Sequence, residues 1–327
     1  MTVSNPPKNL ILLTGAGFTH NFGGFLAREM WSKIFNNPSV QASVVARDLL
    51  QGDFDFESVY AKRLSESEAA DAIRIGVETA YKDLDSSIKN WRFRHDNPTS
   101  LNTYGLGELF SFISQRGSDR GWFFTLNQDL YMERMHNYRS PGAAFGQPFV
   151  DRDEGGGVKK VTLPNLEELE KSKSTLNNSS YIKLHGSYGW ISSRGGNQMV
   201  IGKNKVADIN QEPLLKWYFD LFQSLVSEGD KKLLVIGYGF GDSHINDILL
   251  KAVEEHNLSL YIINPTDPEV FKNKLEGRPD HSGSYKISKY SKIWKGVKGY
   301  FPYTLREIFP PDQSKTTIAE EIRMSLS

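Results

Sequence analysis

The stretch "NLILLTGAGFTHNFGG", residues 9–24, sets the interpretation of the whole chain. Residues 10–14 are short and apolar, which predicts a buried strand. Gly15, Ala16 and Gly17 follow this strand directly. Glycine allows a backbone to come close to a phosphate, and a helix that begins after such a turn offers N–H donors to it. The stretch therefore predicts a strand, a turn suited to phosphate and a helix, although an ordinary tight turn would use the same residues.

A second turn of the same design lies in "LLVIGYGFGD", residues 233–242. Here Gly237 and Gly239 stand between a predicted strand and a predicted helix. Two glycine turns at one edge of a sheet fit a ligand with two phosphates better than a single turn does. Neither turn is specific by itself, and the first stretch misses the pattern G-x-G-x-x-G because His20 occupies the third glycine position.

Apolar segments that predict strands alternate with amphipathic segments that predict helices. This alternation indicates an α/β fold, with a Rossmann-like parallel sheet and helices on both faces. Ligands of such sheets bind beyond the carboxyl ends of the strands. The predicted strands, most of them with a polar turn attached, lie in residues 10–14, 121–129, 181–187, 233–242 and 258–265. We expect the segment that ends at Pro265 to be the last strand of the sheet.

Residues 39–115 show helical patterns without a strand between them. We predict that they form a helical module inserted into a Rossmann-like domain made of residues 1–38 and 116–327. We also expect this module to pack over the nucleotide crevice, because a long apolar stripe on a helix has to be buried. Within it, Glu57 could reach the site, although a solvated helix face is the simpler interpretation. The stripe consists of Ile73, Val77, Ala80, Tyr81, Leu84, Ile88 and Trp91.

The composition excludes several classes of chemistry. The 327 residues include no Cys, so disulfides, Cys-ligated zinc and a Cys nucleophile are impossible. The 39 Lys+Arg balance the 39 Asp+Glu, so no overall positive field attracts nucleic acid, and we expect no direct binding to it. The seven His residues show no paired ligand spacing, so we expect no metal and no effect of chelators. No leader or membrane-spanning pattern is visible, which predicts a cytoplasmic protein.

Polar side chains follow two of the predicted strands. Asn127 and Asp129 stand two residues apart in "TLNQD", and His185 stands in "KLHGS". An Asn side chain can hold a water or a hydroxyl group, and a His can act as a base near neutral pH. The alternatives are an Asx-turn that caps a helix and a His with a purely structural role.

These motifs together resemble those of the sirtuin family: G-A-G-x-[ST], T-x-N-x-D, His-Gly, a glycine turn and I-N. In this chain they read Gly15 to Thr19, Thr125 to Asp129, His185-Gly186, Gly237 to Gly241 and Ile263-Asn264. The order of the motifs and their positions at strand ends agree across residues 9–265. The set is therefore far more specific than any one motif.

The chain departs from the protein-deacylating sirtuins at several points. Their G-I-P-D-F-R stretch reads "GGFLAR" here, residues 23–28, so Arg28 matches while the Asp and Phe positions do not. Deacylases also carry a four-Cys zinc ribbon and an F-G-E-x-L-P peptide-binding stretch, and neither has a counterpart here. What remains resembles the sirtuin-like NAD-hydrolysing effectors of bacterial antiphage defence. In its standalone form this branch is similar to the partner of HerA-type hexameric ATPases.

The resemblance implies a role for each motif residue. Asn127 would hold the attacking water and a ribose hydroxyl, and His185 would act on the ribose hydroxyls or as a base. Asp129 would bind the nicotinamide carboxamide of NAD⁺, and Asn264 would face the adenosine ribose. The residues implied in binding the rest of the nucleotide are Gly15, Ala16, Gly17, Thr19, Arg28, Gly237 and Gly239.

The implied activity is hydrolysis of NAD⁺ to ADP-ribose and nicotinamide, with NAD⁺ as the substrate and no metal. Two alternatives stay open: a non-catalytic subunit that senses NAD or ADP-ribose, and a deacylase without zinc. We further expect a homo-oligomer that docks on a HerA-type ring ATPase, because zero net charge permits self-association. Two candidate contact surfaces are residues 299–310, with four aromatic side chains, and the glycine-containing loop 139–160.

Overall fold

The computed structural model describes residues 9–61, 68–90, 101–113, 121–135, 160–172, 179–202, 205–277 and 287–327. Six strands form the central sheet: β1 (Leu10–Thr14), β2 (Gly121–Thr125), β4 (Ser179–Lys183), β7 (Lys232–Ile236), β8 (Ser259–Ile263) and β9 (Val297–Phe301). Three short strands form a second sheet: β3 (Val161–Thr162), β5 (Gly186–Ile191) and β6 (Asn197–Met199).

The central sheet runs in the order β4-β2-β1-β7-β8-β9, and every neighbouring pair is parallel. Numbered along the chain, these six strands lie in the order 3-2-1-4-5-6, which is the doubly wound arrangement of nucleotide-binding sheets. The chain reverses its direction of winding between β1 and β7. A crevice therefore opens beyond the carboxyl ends of these two strands, where both glycine turns lie.

Fifteen α-helices are described within the residues given above. They are α1 (Ala16–His20), α2 (Ala27–Phe35), α3 (Pro38–Ala42), α4 (Val44–Gly52), α5 (Phe56–Ala61), α6 (Glu68–Asn90), α7 (Thr103–Ile113), α8 (Tyr131–Met135), α9 (Leu166–Ser172), α10 (Lys205–Gln211), α11 (Pro213–Val226), α12 (Ser243–Glu255), α13 (Pro268–Glu276), α14 (Leu305–Ile308) and α15 (Thr317–Leu326). A 3-10 helix, Lys289–Gly296, precedes β9.

The side chains of β1 separate the two hydrophobic cores of the molecule. Leu10 and Leu12 belong to one core, with buried residues of α2 to α7, α14 and α15. Ile11 and Leu13 belong to the other, with residues of α9 to α13. Successive residues of a strand point to opposite faces, so helices cover both faces of the sheet. The α/β fold expected from the sequence is confirmed.

The described part of residues 39–115 contains helices, and these share one core with a face of the sheet. The predicted stripe lies on α6, and all of its members from Ile73 to Ile88 are buried. Its last member, Trp91, lies outside the described residues. Whether this segment is a module with its own boundary stays a prediction. None of the described helices combines the length and apolar composition that crossing a lipid bilayer demands.

The expectation that the sheet ends at Pro265 is wrong, because β9 adds a parallel edge strand beside β8. This strand uses part of the aromatic segment 299–310. Phe301 and Phe309 are buried in the chain's own core, and Tyr300 packs against Phe271. Three of the four aromatics therefore have packing partners within the chain itself. The other candidate contact surface, loop 139–160, lies outside the described residues except for Lys160.

Candidate active site at the strand ends

The two glycine turns touch each other at the switch point of the sheet. The Gly15 amide donates to the Ile236 carbonyl at 3.0 Å, and the Gly17 amide donates to the Gly237 carbonyl at 2.9 Å. Gly237 has φ +66°, and a Cβ there would overlap the backbone of Gly17 and Phe18. Close packing between the turns thus requires glycine. The N–H groups of Gly15 and Gly17, which were predicted to bind phosphate, are therefore already bonded to β7 and to the turn after it.

Asn127 is fixed at the centre of the site by its amide nitrogen. Nδ2 donates to the Gly15 carbonyl at 2.9 Å and to Oγ1 of Thr19 at 2.7 Å. The Gly15 carbonyl can only accept, so this contact fixes which end of the amide is the nitrogen. The backbone amide of Asn127 donates to Oγ1 of Thr125 at 3.0 Å. Among the described residues no protein donor contacts Oδ1 of Asn127, which leaves this oxygen for a ligand or water.

Asp129 is buried beside Thr19 and caps the start of α8. Its Oδ1 accepts from the Tyr131 amide at 2.9 Å, and the Thr19 hydroxyl also bonds to its carboxylate. Burial raises the pKa of Asp129, and the nearby Lys183 ammonium opposes that rise. Thr19 therefore links Asn127 to Asp129. The contact between Asp129 and the Tyr131 amide is the Asx-turn given above as the alternative. Asp129 also lines the cleft.

A cleft that is partly open to solvent lies over Asn127. The Gly15 turn and the residues after β2 form one side of it, and the helical segment forms the other. The lining residues are Ala16, Thr19, Phe25, Ala27, Met30, Phe56, Glu57, Tyr81, Leu84, Leu126, Asn127, Gln128 and Asp129. The expected position of the helical segment over the crevice is observed on this side, and Glu57 does reach the cleft.

Tyr81 joins α6 to the turn after β2. Its hydroxyl donates to Oε1 of Gln128 in a short hydrogen bond. Nε2 of Gln128 donates in turn to the carbonyls of Val200 at 2.8 Å and His185 at 3.2 Å. Gln128 therefore ties α6 to the turn after β4 and to the residue that follows β6. This role was not predicted from the sequence, although Gln128 stands inside the T-x-N-x-D motif.

Replacing Tyr81 by Phe is expected to lower the free energy of unfolding by about 1 kcal/mol, because Oε1 of Gln128 loses a buried donor. Urea unfolding followed by circular dichroism measures this loss. The matched control is Tyr104→Phe, since Tyr104 is 65% exposed. Equal unfolding midpoints for Tyr81→Phe and the unchanged protein would show that the hydrogen bond from Tyr81 to Gln128 does not stabilise the fold.

His185 is not among the residues that line this cleft, although its backbone carbonyl contacts Gln128. Its Nε2 lies 2.9 Å from Nε2 of His244, at the start of α12. Burial lowers the pKa of His185 to about 3, so its imidazole is neutral at physiological pH. Burial also lowers the pKa of His244. The structure thus pairs His185 with His244, a partner not predicted from the sequence.

Selective labelling of His side chains with ¹³C tests the neutral state of His185. The ring signal that disappears in His185→Asn is expected to keep its chemical shift between about pH 8 and pH 5, below the ordinary His pKa of about 6.5. The physical reason is the buried position, which disfavours the charged imidazolium. A titration of that signal with a midpoint near the ordinary value would contradict the buried geometry.

Lys205 connects the His185 pair with the cleft. Its ammonium lies 2.6 Å from Oδ1 of Asp242 and 2.8 Å from Oε2 of Glu57. Burial opposes the charge on Lys205, but these two carboxylates outweigh it and raise the pKa of the ammonium. Burial raises the pKa of Glu57. An ion triad therefore lies between the helical segment and the start of α12.

The remaining predicted residues do not line the cleft. Gly239 accepts a hydrogen bond from Nζ of Lys274 at 2.8 Å. Asn264 follows β8, and its Oδ1 accepts from the Thr266 amide at 3.0 Å. Arg28 is exposed on α2 and is not a lining residue of the cleft. The structure brings Asn127, Asp129, Ala16 and Thr19 together, and it leaves these three residues apart from them.

Residues 122–281, just under half of the chain, match a family model described as a SIR2-like domain. The matched segment contains Asn127, His185 and Gly237, whereas the Gly15 turn lies before it. No curated protein sequence matches the chain.

Two solved structures, each described as a Sir2 homologue, are similar to the chain. One, in complex with NAD, is 13% identical, with 97% of this chain and 90% of that chain covered and a TM-score of 0.44. The other, a mutant in complex with ADP-ribose, is 12% identical, with 97% and 92% covered and a TM-score of 0.43.

Proposed function

We propose that this protein hydrolyses NAD⁺ to ADP-ribose and nicotinamide. The observation that carries the proposal is the position of Asn127, whose Nδ2 is held by the Gly15 carbonyl and Thr19 while Oδ1 has no donor among the described residues. A water in the cleft can donate to this oxygen. The match of residues 122–281 to a SIR2-like domain supports an activity that depends on NAD.

Hydrolysis of NAD⁺ requires the protein mainly to position the substrate and one water. Nicotinamide leaves the ribose as a neutral molecule, so no general acid is needed, and the ribose passes through an oxocarbenium-like state. The protein then has to hold the ribose, exclude competing nucleophiles and place one water. In our proposal Asn127 orients the water, and Asp129 binds the carboxamide of nicotinamide. Ala16 and Thr19 lie where the first turn would approach the diphosphate.

His185 acts in this proposal on the ribose hydroxyls. Because burial lowers its pKa to about 3, the neutral ring accepts a hydrogen bond well but binds a proton weakly. A hydrogen-bond acceptor for a hydroxyl is the role that such a ring performs best. Its Nε2 has to leave His244 before it can contact the substrate, so ligand binding would break the contact between the two rings.

Two other functions differ from hydrolysis in their products. A subunit that senses NAD or ADP-ribose would bind the nucleotide and leave it intact. A deacylase would release nicotinamide only when an acylated peptide is present. Chromatography of NAD⁺ incubated with the purified protein, with and without an acetyl-lysine peptide, separates the three. We expect nicotinamide and ADP-ribose in equal amounts without peptide; peptide-dependent release or intact NAD⁺ would contradict hydrolysis.

We propose further that the protein is an antiphage effector that lowers cellular NAD⁺ and assembles as a homo-oligomer with a HerA-type ring ATPase. The motif pattern of the chain supports this proposal, and the isolated chain is then expected to hydrolyse NAD⁺ slowly but measurably. Light scattering is expected to give a multiple of 37.0 kDa, and co-expression with the ATPase is expected to raise the rate of NAD⁺ loss. A single species of 37.0 kDa that the ATPase does not bind would contradict the proposed assembly.

A further inference from the structure

We propose that His185, Asp242 and His244 form a binding site for a divalent transition-metal ion of the zinc type. The sequence suggested no such site, because His185 lies 57 positions before Asp242, and "DSH" alone is an unremarkable start of a helix. The fold brings the turn after β4 to the start of α12, so that one ligand atom from each of the three residues lies within 4.8 Å of the others.

The distances are close to those that a metal requires. Zinc binds imidazole nitrogen at about 2.1 Å, so two tetrahedral nitrogen ligands lie about 3.4 Å apart. The two Nε2 atoms are 2.9 Å apart, and the ring centroids are 5.1 Å apart. A small rotation of either ring opens the required gap. Two nitrogens and one carboxylate leave the fourth tetrahedral position open for water.

The surroundings favour a metal over a proton on these rings. Burial lowers the pKa of both imidazoles, and a neutral imidazole is the form that binds metals. Phe219 packs against His244 with a centroid distance of 5.8 Å and limits access of water from that side. Imidazole ligands select zinc, cobalt or nickel rather than magnesium or calcium, which prefer oxygen.

Lys205 is the group that competes with the metal. Its ammonium forms an ion pair with Oδ1 of Asp242 at 2.6 Å and therefore has to move when a cation binds there. Glu57 offers it a second carboxylate at 2.8 Å, so Lys205 can keep a partner after it leaves Asp242. Removing the charge of Lys205 should consequently tighten metal binding, a direction that a damaged fold would not produce.

Metal binding would also regulate the proposed hydrolysis, and this half of the inference rests on the proposed function. A metal on Nε2 of His185 occupies the atom that would accept the hydrogen bond from the ribose hydroxyl. We therefore expect zinc to inhibit nicotinamide release and a chelator to restore it. Chelators alone would leave the metal-free protein unaffected, in line with the expectation from the sequence.

Titration of the chelator-treated, untagged full chain with Co²⁺ tests the site without any assay of activity. We expect visible d–d absorption that saturates at one ion per chain. His244→Ala should weaken binding by at least about tenfold, Lys205→Met should tighten it several-fold, and His256→Ala, the control, should leave it unchanged. Thermal melts by circular dichroism establish that each variant is folded.

The metal site and its inhibitory effect on hydrolysis can be refuted independently. Absence of d–d absorption, or equal affinity in folded His244→Ala and the unchanged protein, would overturn the metal site whatever the enzyme does. Saturable Co²⁺ binding together with an unchanged rate of nicotinamide release would overturn the inhibitory role. A protein that binds Co²⁺ at this site but never cleaves NAD⁺ would contradict the proposed function and its regulation, while the metal site would stand.

Discussion

Asn127→Ala is expected to lower the rate of nicotinamide release from NAD⁺ by at least about 100-fold, the usual loss when a residue that positions the reacting groups is removed. The side chain lines the cleft and carries the oxygen that would orient the water. Its contacts with Gly15 and Thr19 hold it in place before any substrate arrives. Alanine removes both the oxygen and this fixed geometry.

The matched control is Asn36→Ala. Asn36 is exposed at the end of α2, and within the described part of the chain its side chain bonds only to Ser32. Rates measured by chromatography under single-turnover conditions, with far-UV circular dichroism of both variants, separate loss of chemistry from loss of fold. A folded Asn127→Ala that releases nicotinamide at the rate of Asn36→Ala would remove Asn127 from the reaction.

Gly237→Ala is expected to lower the free energy of unfolding by about 2–5 kcal/mol, because two costs add at one position. The backbone of Gly237 has φ +66°, a conformation that side chains disfavour. A Cβ would also overlap backbone atoms of Gly17 and Phe18, which belong to the neighbouring turn and cannot rotate away as a side chain could. The two turns would have to separate.

Urea unfolding of Gly237→Ala and Gly241→Ala measures this effect within one turn. A Cβ at Gly241 meets no atom within 4 Å, so its replacement should change stability by less than about 1 kcal/mol. Similar unfolding midpoints for the two variants would show that the turns do not pack as described. The comparison also asks whether the second glycine turn serves the fold before it serves a ligand.

The sheet could be predicted because its strands carry local signals. Residues 10–14 and 232–236 are mostly apolar, and a glycine follows each segment. The two segments form neighbouring parallel strands. β9 was missed because its sequence "VKGYF" is short, mixed in polarity and at the edge of the sheet, where one side needs no partner. Edge strands have weak patterns, so the aromatic segment after Pro265 looked like a free surface.

The centre of the site could be predicted in part. Asn127 and Asp129 follow the same strand, so their proximity could be predicted from the sequence. The hydrogen bonds by which Thr19 links the two side chains could not. The partners of His185 were invisible, because the approach of His244 depends on how α12 packs against the turn after β4. Such contacts depend on tertiary packing, and no local sequence pattern predicts them.

The most direct test of the account is the fate of NAD⁺ in water enriched in ¹⁸O, analysed by mass spectrometry after incubation with the chelator-treated protein and with Asn127→Ala. Hydrolysis is expected to give nicotinamide without label and ADP-ribose with one ¹⁸O atom at the anomeric carbon, because water attacks the ribose. Asn127→Ala should yield almost none of this product. NAD⁺ that stays intact with the unchanged protein, or ADP-ribose that forms equally in both, would contradict the proposed hydrolysis at Asn127.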